Sequence, residues 1–303
     1  MAAGKQVRLF LVDGSPNGIL TAEIMNWTGR VVSGSRSELN EILGRGEANS
    51  PGVYFLLGDN PEDPDRRLVY VGEADDVAVR LRQHNSASTG KEFWNRVIFL
   101  TSKDANLTKA HVRYLESRFI SLAKKANRCS LENGNESSVV RLPEADLSDM
   151  EYFISQAQIV LPVLGLDAFR SRPVPMPPAD SPSDTHASPV FEMKVPTVGG
   201  LARGQDIDGE FVVAAGSRAR SAWNGVSHSY GVLFDRLVTT GVLSSEGEDC
   251  IFTDDYAFAS PSAAAAVVAG RNANGRTAWR DPTTGQSFAE WQEQLAPPLP
   301  DEE

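Results

Sequence analysis

The order of hydrophobic and polar residues predicts short strands and amphipathic helices over the first 170 residues. The predicted strands are 7–12, 30–33, two within 52–72, and 94–101. The first of these, 7–12, is expected to be buried. The predicted helices are 37–45, one ending near residue 85, 106–126 and 147–164, the last of which stops at Gly165. This mixture of segments predicts an α+β fold with a small antiparallel sheet flanked by helices.

The stretch from Gly52 to His84 combines two strands, a loop and a helix. The loop DNPEDPDRR is acidic, rich in proline and too long for a tight hairpin turn. Asp75 or Asp76 is suited to cap the helix that follows. Arg80 and His84 are four residues apart and therefore share one face of that helix.

The composition changes after residue 170. Pro, Ser and Asp dominate residues 171–203, which predicts a flexible linker. The elements predicted beyond it are a strand at 210–215, a helix at 230–242, a strand at 251–258, an Ala-rich helix from Ser260-Pro261 to Gly270, and a hairpin at 277–291. We therefore expect an N-terminal extension (1–50) packed on a main domain (51–170), then the linker, a small α+β domain (204–292) and an acidic tail (293–303).

Charge and composition limit the functional classes. The net charge is −11, which argues against a general nucleic-acid binder. Residues 51–142 nevertheless carry 14 basic and 12 acidic residues, whereas residues 201–303 carry 7 and 15. No run of about 18 apolar residues predicts a membrane span, and no secretion signal is recognised. The two cysteines, Cys129 and Cys250, fall in different predicted domains, which favours a reducing cytoplasm over a disulfide framework.

One carboxylate lies on the apolar side of a predicted helix. On a helical wheel, Glu116 lies about 40° from Val112, inside the arc of hydrophobic residues of the 106–126 helix. A bare buried carboxylate costs several kcal/mol, so Glu116 is expected to be paired, protonated or bound to a metal. The chain has no P-loop, no GxSxG elbow and no HExxH motif, so other common catalytic motifs do not compete with this feature.

A family resemblance joins these observations. The tripeptides Gly52-Val53-Tyr54 and Tyr70-Val71-Gly72, followed by Arg80, His84 and Glu116 in that order and spacing, resemble the GIY-YIG endonuclease family over about residues 51–142. The resemblance implies a small antiparallel sheet that carries both tripeptides, and hydrolysis of DNA phosphodiester bonds with one Mg²⁺ or Mn²⁺ ion. Valine stands in place of isoleucine in both tripeptides, which is a conservative change.

The resemblance also implies roles for single residues. Tyr54 would act as general base with His84 nearby, Tyr70 would position groups or share in proton transfer, Arg80 would stabilise the phosphate, and Glu116 would bind the metal. The family asparagine matches Asn133, with Asn135 as a close second. Gly52, Gly72 and Lys91 are the substrate-binding candidates, with Gly72 allowing close approach of the backbone.

General chemistry agrees with these implied roles. Arginine presents a fixed fork of donors to a charged phosphoryl group, and a carboxylate is a hard ligand suited to Mg²⁺. Tyrosine is a weak base at its ordinary pKa of about 10 and needs help from its neighbours. The acidic loop Asp59–Asp65 lies between the two strands and weakens the expectation of tight DNA binding.

The C-terminal region carries a second resemblance. Its segment YAFASPSAAAAVVAGRNANGRTAW is similar to a small domain of unknown function that is often joined to GIY-YIG modules, which implies recognition of DNA or of a protein partner. The sequence thus predicts a metal-dependent DNA endonuclease that needs no membrane and no small-molecule cofactor. The alternative is a non-catalytic DNA- or protein-binding regulatory module on the same fold.

Overall fold

The chain folds into two compact units, Ala3–Ser171 and Arg172–Glu303. The computed structural model describes residues 4–61, 66–86, 90–134, 140–170, 188–195, 200–225 and 229–295. Each unit contains both helices and sheets, so the predicted α+β class with a separate C-terminal α+β domain is confirmed.

A seven-stranded sheet forms the centre of the first unit. Its strands are β1 (Val7–Leu11), β2 (Leu20–Ile24), β3 (Gly29–Ser35), β4 (Gly52–Gly58), β5 (Leu68–Ala74), β6 (Trp94–Ser102) and β7 (Ser130–Leu131). The strand order is β1-β2-β3-β6-β4-β5-β7. All neighbours are antiparallel except the short β5–β7 pair.

Helices cover both faces of this sheet. They are α1 (Leu39–Leu43), α2 (Val77–His84), α3 (Lys109–Ala126) and α4 (Glu144–Val163). Strand β4 is buried throughout, and its side chains alternate between two hydrophobic cores. Val53 and Phe55 pack with α3 and α4, whereas Tyr54 and Leu56 pack with α1 and α2. The two sides are called the α3 face and the α2 face below.

The N-terminal residues differ from the expectation in three ways. They are not an extension packed on the domain, because β3 pairs with β6 along its full length and makes them part of the sheet. Strand β2 has no counterpart among the strands that the sequence predicts. Strand β1 is predicted to be buried but is an edge strand whose last four residues are exposed.

Helix boundaries in the first unit follow the predictions closely. Asp76 caps α2, since its Oδ1 accepts a hydrogen bond of 2.9 Å from the Val79 amide. Helix α1 is shorter than expected because a 3₁₀ turn at Arg36–Glu38, capped by Ser35, precedes it. Residues 62–65 of the acidic loop lie outside the described residues.

The second unit contains two smaller sheets. Its strands are β8 (Phe191–Lys194), β9 (Leu201–Ile207), β10 (Glu210–Val213), β11 (Arg218–Arg220), β12 (Leu243–Glu246), β13 (Asp249–Phe252) and β14 (Tyr256–Phe258). Its helices are α5 (Ser229–Thr239), α6 (Pro261–Ala269), α7 (Gly275–Ala278) and α8 (Phe288–Leu295). The sheet orders are β14-β10-β9-β8 and β11-β13-β12.

Four predictions for this unit are wrong in detail. Strands β8 and the start of β9 fall inside the expected linker 171–203, of which 171–187 and 196–199 lie outside the described residues. The strand expected at 251–258 is two strands, β13 and β14. In place of the hairpin expected at 277–291, a turn closed by the Arg280–Ser287 bridge connects α7 and α8. Helix α8 extends into the expected acidic tail. Residues 296–303 of that tail lie outside the described residues.

Two further expectations concern the chain as a whole. Cys129 and Cys250 are both buried and free, and they lie in different units. None of the helices in the described ranges has the length and apolar character needed to cross a membrane.

Removal of residues 1–50 tests whether the N-terminal strands belong to the core. Strand β3 buries Val31 and Val32 completely, so we expect the truncated chain to lose the cooperative thermal unfolding of the first unit. Circular dichroism during heating measures this. A truncated protein that keeps the wild-type transition would show that the segment is a dispensable extension.

Candidate active site

Tyr54 and Tyr70 project from neighbouring strands into the α2 face. In the β4–β5 register, Tyr54 lies opposite Gly72 and Leu56 lies opposite Tyr70, so the two tyrosines are diagonal neighbours. Their ring centroids are 6.1 Å apart. The two tripeptides therefore meet in space, as the resemblance implies.

Helix α2 brings Arg80 and His84 to Tyr54. The Tyr54 hydroxyl lies 2.8 Å from His84 Nε2, and Arg80 Nε donates to the same hydroxyl at 3.3 Å. Because arginine can only donate, the Tyr54 oxygen accepts from Arg80 and its own proton is available for His84. Arg80 thus donates to Tyr54, and the Tyr54 hydroxyl shares a hydrogen bond with His84 Nε2.

Burial sets the protonation of this group. The pKa of Tyr54 is raised well above its usual range, mainly by burial and then by the neighbouring Tyr70, although Arg80 opposes the shift. The pKa of His84 is lowered to about 4 by burial and by the nearby cations of Arg80 and Lys91. At neutral pH, Tyr54 is therefore a protonated phenol beside a neutral imidazole.

A cleft of about 650 Å³ opens next to these side chains. It is lined by Tyr70, Arg80, Gln83, His84, Gly90, Lys91, Glu92, Phe93 and Glu132. Tyr54 is fully buried behind this wall. Lys91 places its Nζ 4.6 Å from the centre of the Tyr70 ring and 3.7 Å from Glu132 Oε1. The cleft therefore presents two cations together with two carboxylates.

The two glycines of the tripeptides have steric roles. A Cβ atom at Gly72 would overlap the ring and hydroxyl of Tyr54. A Cβ atom at Gly52 would lie 2.6 Å from the Leu100 carbonyl oxygen, where β4 pairs with β6. Both glycines are buried, so their close backbone approach is to the protein's own side chains and strands.

Glu116 approaches β5 from the α3 face. It is half-buried, and burial together with the nearby Glu73 raises its pKa, while a backbone hydrogen bond from Glu73 and the cations Arg113 and Lys109 oppose the rise. Lys109 Nζ lies 2.7 Å from Glu73 and 3.2 Å from Asp75. The expected placement of a carboxylate on an apolar helix face is confirmed.

The carboxylate pair at Glu116 meets the basic requirement of a divalent cation site. A raised pKa next to a second carboxylate means that a cation would relieve both burial and repulsion. Mg²⁺ keeps several waters and needs only one or two protein carboxylates. Among the described residues, no group of three or more His, Cys, Asp and Glu side chains could hold a metal ion.

Asn133 completes the outer edge of β5. Its Oδ1 accepts from the Val71 amide at 3.0 Å, and its Nδ2 donates to the Val71 carbonyl at 2.8 Å. Because β7 pairs only with Leu68 and Val69, the Asn133 side chain extends the hydrogen bonding along β5 to Val71. Asn133 thus holds the strand that carries Tyr70, and Asn135 lies outside the described residues.

Arg36 is absent from the sequence-predicted site because no chemistry is recognisable in the N-terminal 50 residues. Its guanidinium donates to the carbonyls of Lys91, Glu92 and Trp94 and to Asn85 Oδ1, at 3.0–3.3 Å. It also lies 4.5 Å from the centre of the Trp94 ring. Arg36 therefore fixes the loop that presents Lys91, and no local sequence signal links the two positions.

The Ser, Gly and Trp positions of the C-terminal motif are explained by the packing of their own unit. Ser260 caps α6 by accepting from the Ala263 amide at 3.1 Å, and Trp279 Nε1 donates to the Pro261 carbonyl at 3.0 Å. A Cβ atom at Gly275 would overlap Pro261. Trp279 is fully buried. These residues specify a fold rather than an exposed site.

Comparison with known proteins gives a family match for the C-terminal region. Residues 191–292 match the family model described as a domain of unknown function, DUF4357. This range coincides with the C-terminal strands and helices and begins at the first residue of β8. No curated protein and no solved structure matches the chain significantly.

Substitution of Gly72 by Ala tests the contact with Tyr54. The added methyl group overlaps the Tyr54 ring, so we expect a loss of about 2 kcal/mol or more in the free energy of unfolding. Denaturant unfolding measures this loss. Gly46→Ala is the matched control, because a Cβ atom there meets nothing within 4 Å. Equal stability of both variants would contradict the packing described.

The lowered pKa of His84 predicts a pH dependence of stability. The unfolded chain takes up this proton near pH 6.5 and the folded chain only near pH 4, so His84 lowers the free energy of unfolding as the pH falls through that window. The wild type loses free energy of unfolding between pH 7 and pH 4, and we expect His84→Gln to make this loss smaller by on the order of 2 kcal/mol. Denaturant titrations at a series of pH values measure the difference, and parallel curves would contradict the assignment.

Proposed function

We propose that the first unit is a metal-dependent endonuclease that hydrolyses phosphodiester bonds in DNA, with its site residues in the range 51–142. The observation that supports this most is the hydrogen-bonded group of Arg80, Tyr54 and His84 beside a cleft that also carries Lys91. Cations suit a phosphate, and a neutral imidazole suits the removal of a proton from water. The same residues carry the resemblance to the GIY-YIG endonucleases.

In this proposal, the proton of the attacking water passes through the tyrosines. Tyr70 lines the cleft and interacts with the buried Tyr54 hydroxyl. As Tyr54 takes up a proton from Tyr70, its own proton moves to His84 Nε2, and the imidazole, which lines the cleft, passes a proton on to the leaving oxygen. The water oxygen forms the new bond to phosphorus, and the bond to the leaving oxygen breaks. Tyr54 thus acts as a base only together with His84, because its raised pKa keeps the phenol protonated.

Arg80 holds the phosphate in this scheme. Its Nε is engaged by Tyr54, and its Nη1 lies 2.8 Å from Gln83 Oε1, which orients the guanidinium plane along the cleft wall. Hydrogen bonding to Tyr54 raises the pKa of Arg80 further, so the charge persists throughout the reaction. Lys91 adds a second cation on the same wall.

Glu116, with Glu73 beside it, is the residue that would hold one Mg²⁺ or Mn²⁺ ion. When bound, such an ion supplies a water of lowered pKa and neutralises charge on the phosphoryl oxygens. Tyr54 and Glu116 lie on opposite faces of the sheet, yet they contact successive residues of β5, Gly72 and Glu73. The end of β5 is therefore where the two halves of the proposed site meet.

The alternative function is a non-catalytic regulatory module that binds DNA or protein. Two observations favour it: Tyr54 is fully buried, and Glu132 already pairs with Lys91 in the cleft. The C-terminal unit would contribute recognition in either case. The excess of acidic residues in 201–303 fits a protein partner at least as well as DNA. The free, buried cysteines accord with a cytoplasmic setting.

A plasmid-nicking assay tests the catalytic proposal. We expect the wild-type protein to nick supercoiled DNA with Mg²⁺ or Mn²⁺ and to stop when EDTA is added. Glu116→Gln and Tyr54→Phe should each lower the rate by about 100-fold or more, because metal binding or proton transfer is lost. Glu41→Gln, at an exposed carboxylate on α1, is the control and should cut like the wild type.

The same assay separates the two functions. Salt-dependent binding of DNA by a wild-type protein that nicks no substrate with either metal would support the regulatory module. Wild-type activity that Glu116→Gln leaves unchanged would remove Glu116 from the proposed site.

A further inference from the structure

Strand β1 is an exposed apolar edge of the seven-stranded sheet. Leu9, Phe10 and Leu11 are 49%, 63% and 41% exposed. β1 pairs with β2 on one side, and no strand within the described residues pairs with its outer side. Native edge strands are usually protected by lysine, proline, a bulge or a covering segment. The sequence VRLFL contains no lysine or proline, and its register with β2 is regular.

The hydrogen-bond phase of β1 shows which backbone groups point outward. The Val12 amide donates to the Ile19 carbonyl at 2.9 Å, in register with the β1–β2 pairs. Hydrogen-bonded and non-hydrogen-bonded pairs alternate along an antiparallel ladder. Phe10 and Arg8 therefore bond to β2, whereas Val7, Leu9 and Leu11 direct their N–H and C=O groups to the free edge.

This free edge is self-complementary about Leu9. In an antiparallel pair of two β1 strands centred on that residue, Leu9 meets Leu9 of the second copy and Val7 meets Leu11. All three outward-facing residues then lie in hydrogen-bonded pairs. On the other face, Arg8 lies opposite Phe10 of the second copy, which is a favourable cation–π pairing. Every cross-strand pair is thus apolar with apolar or cation with aromatic.

We propose that β1 pairs antiparallel with β1 of a second copy of this chain about a two-fold axis at Leu9, which joins two seven-stranded sheets into one. This contact consumes the exposed edge of both copies, so assembly closes at a dimer. It also shelters the apolar side chains that an isolated edge leaves in water.

Light scattering on the full chain after size exclusion tests the dimer. We expect the wild type to show twice the chain mass of 32.8 kDa and to dissociate on dilution. Leu9→Lys places like charges on the two-fold axis and should give the monomer mass. Met25→Lys, at a side chain that is 57% exposed but outside β1, is the control and should remain dimeric. Circular dichroism checks that both variants stay folded.

A cross-link tests the register. Opposed residues in a hydrogen-bonded pair have Cα atoms about 5.5 Å apart, within the range of a disulfide. Leu9→Cys should form a covalent dimer with the thiol oxidant diamide, and Met25→Cys should not, since the native cysteines are buried. Three results would overturn the proposal: a wild type that is monomeric at all concentrations, a larger oligomer, or a dimer that persists in Leu9→Lys while Leu9→Cys forms no cross-link.

Discussion

The packing of the Tyr54 ring on the bare backbone of Gly72 is the contact on which the proposed site depends. The tyrosine occupies the space that any other residue at position 72 would need for its Cβ atom. With the ring fixed there, its hydroxyl lies where α2 can deliver Arg80 and His84 from successive turns. The same burial keeps Tyr54 protonated and His84 neutral, so packing sets the chemistry as well as the geometry.

Strand β5 connects the two faces of the sheet. Side chains alternate along a strand, so Tyr70 and Gly72 belong to the α2 face, whereas Val71 and Glu73 belong to the α3 face. This alternation places Tyr54 and Glu116 on opposite faces, although the residues they contact, Gly72 and Glu73, are adjacent in β5. Asn133 holds the outer edge of this strand by two hydrogen bonds to Val71. The Asn133 amide thereby satisfies the backbone N–H and C=O of Val71, the residue between Tyr70 and Gly72.

The N-terminal strands have two effects on this arrangement. Strand β3 covers the edge of β6, and Arg36, just after β3, binds the carbonyls of the loop that presents Lys91. This benefit comes with a new exposed edge at β1, where apolar side chains face solvent. Widening the sheet moves an unpaired edge away from the cleft, and a second copy of the chain offers one way to cover it.

Local patterns determined much of this protein. Local signals were sufficient for four helices. The period of hydrophobic residues predicted α3 and α4, whereas end signals such as Asp76 and Ser260 indicated α2 and α6, because helix faces and caps are encoded within a few residues. The resemblance carried by the two tripeptides implied that they lie on neighbouring strands, and Tyr54 and Tyr70 are diagonal neighbours there. Three features were decided only by the tertiary structure, because they depend on residues far apart in sequence. They are the burial of Tyr54, the exposure of β1, and the hydrogen bonds of Arg36 to the loop that presents Lys91. Strand burial is set by the neighbouring strand and helix, which a hydrophobic pattern alone cannot identify.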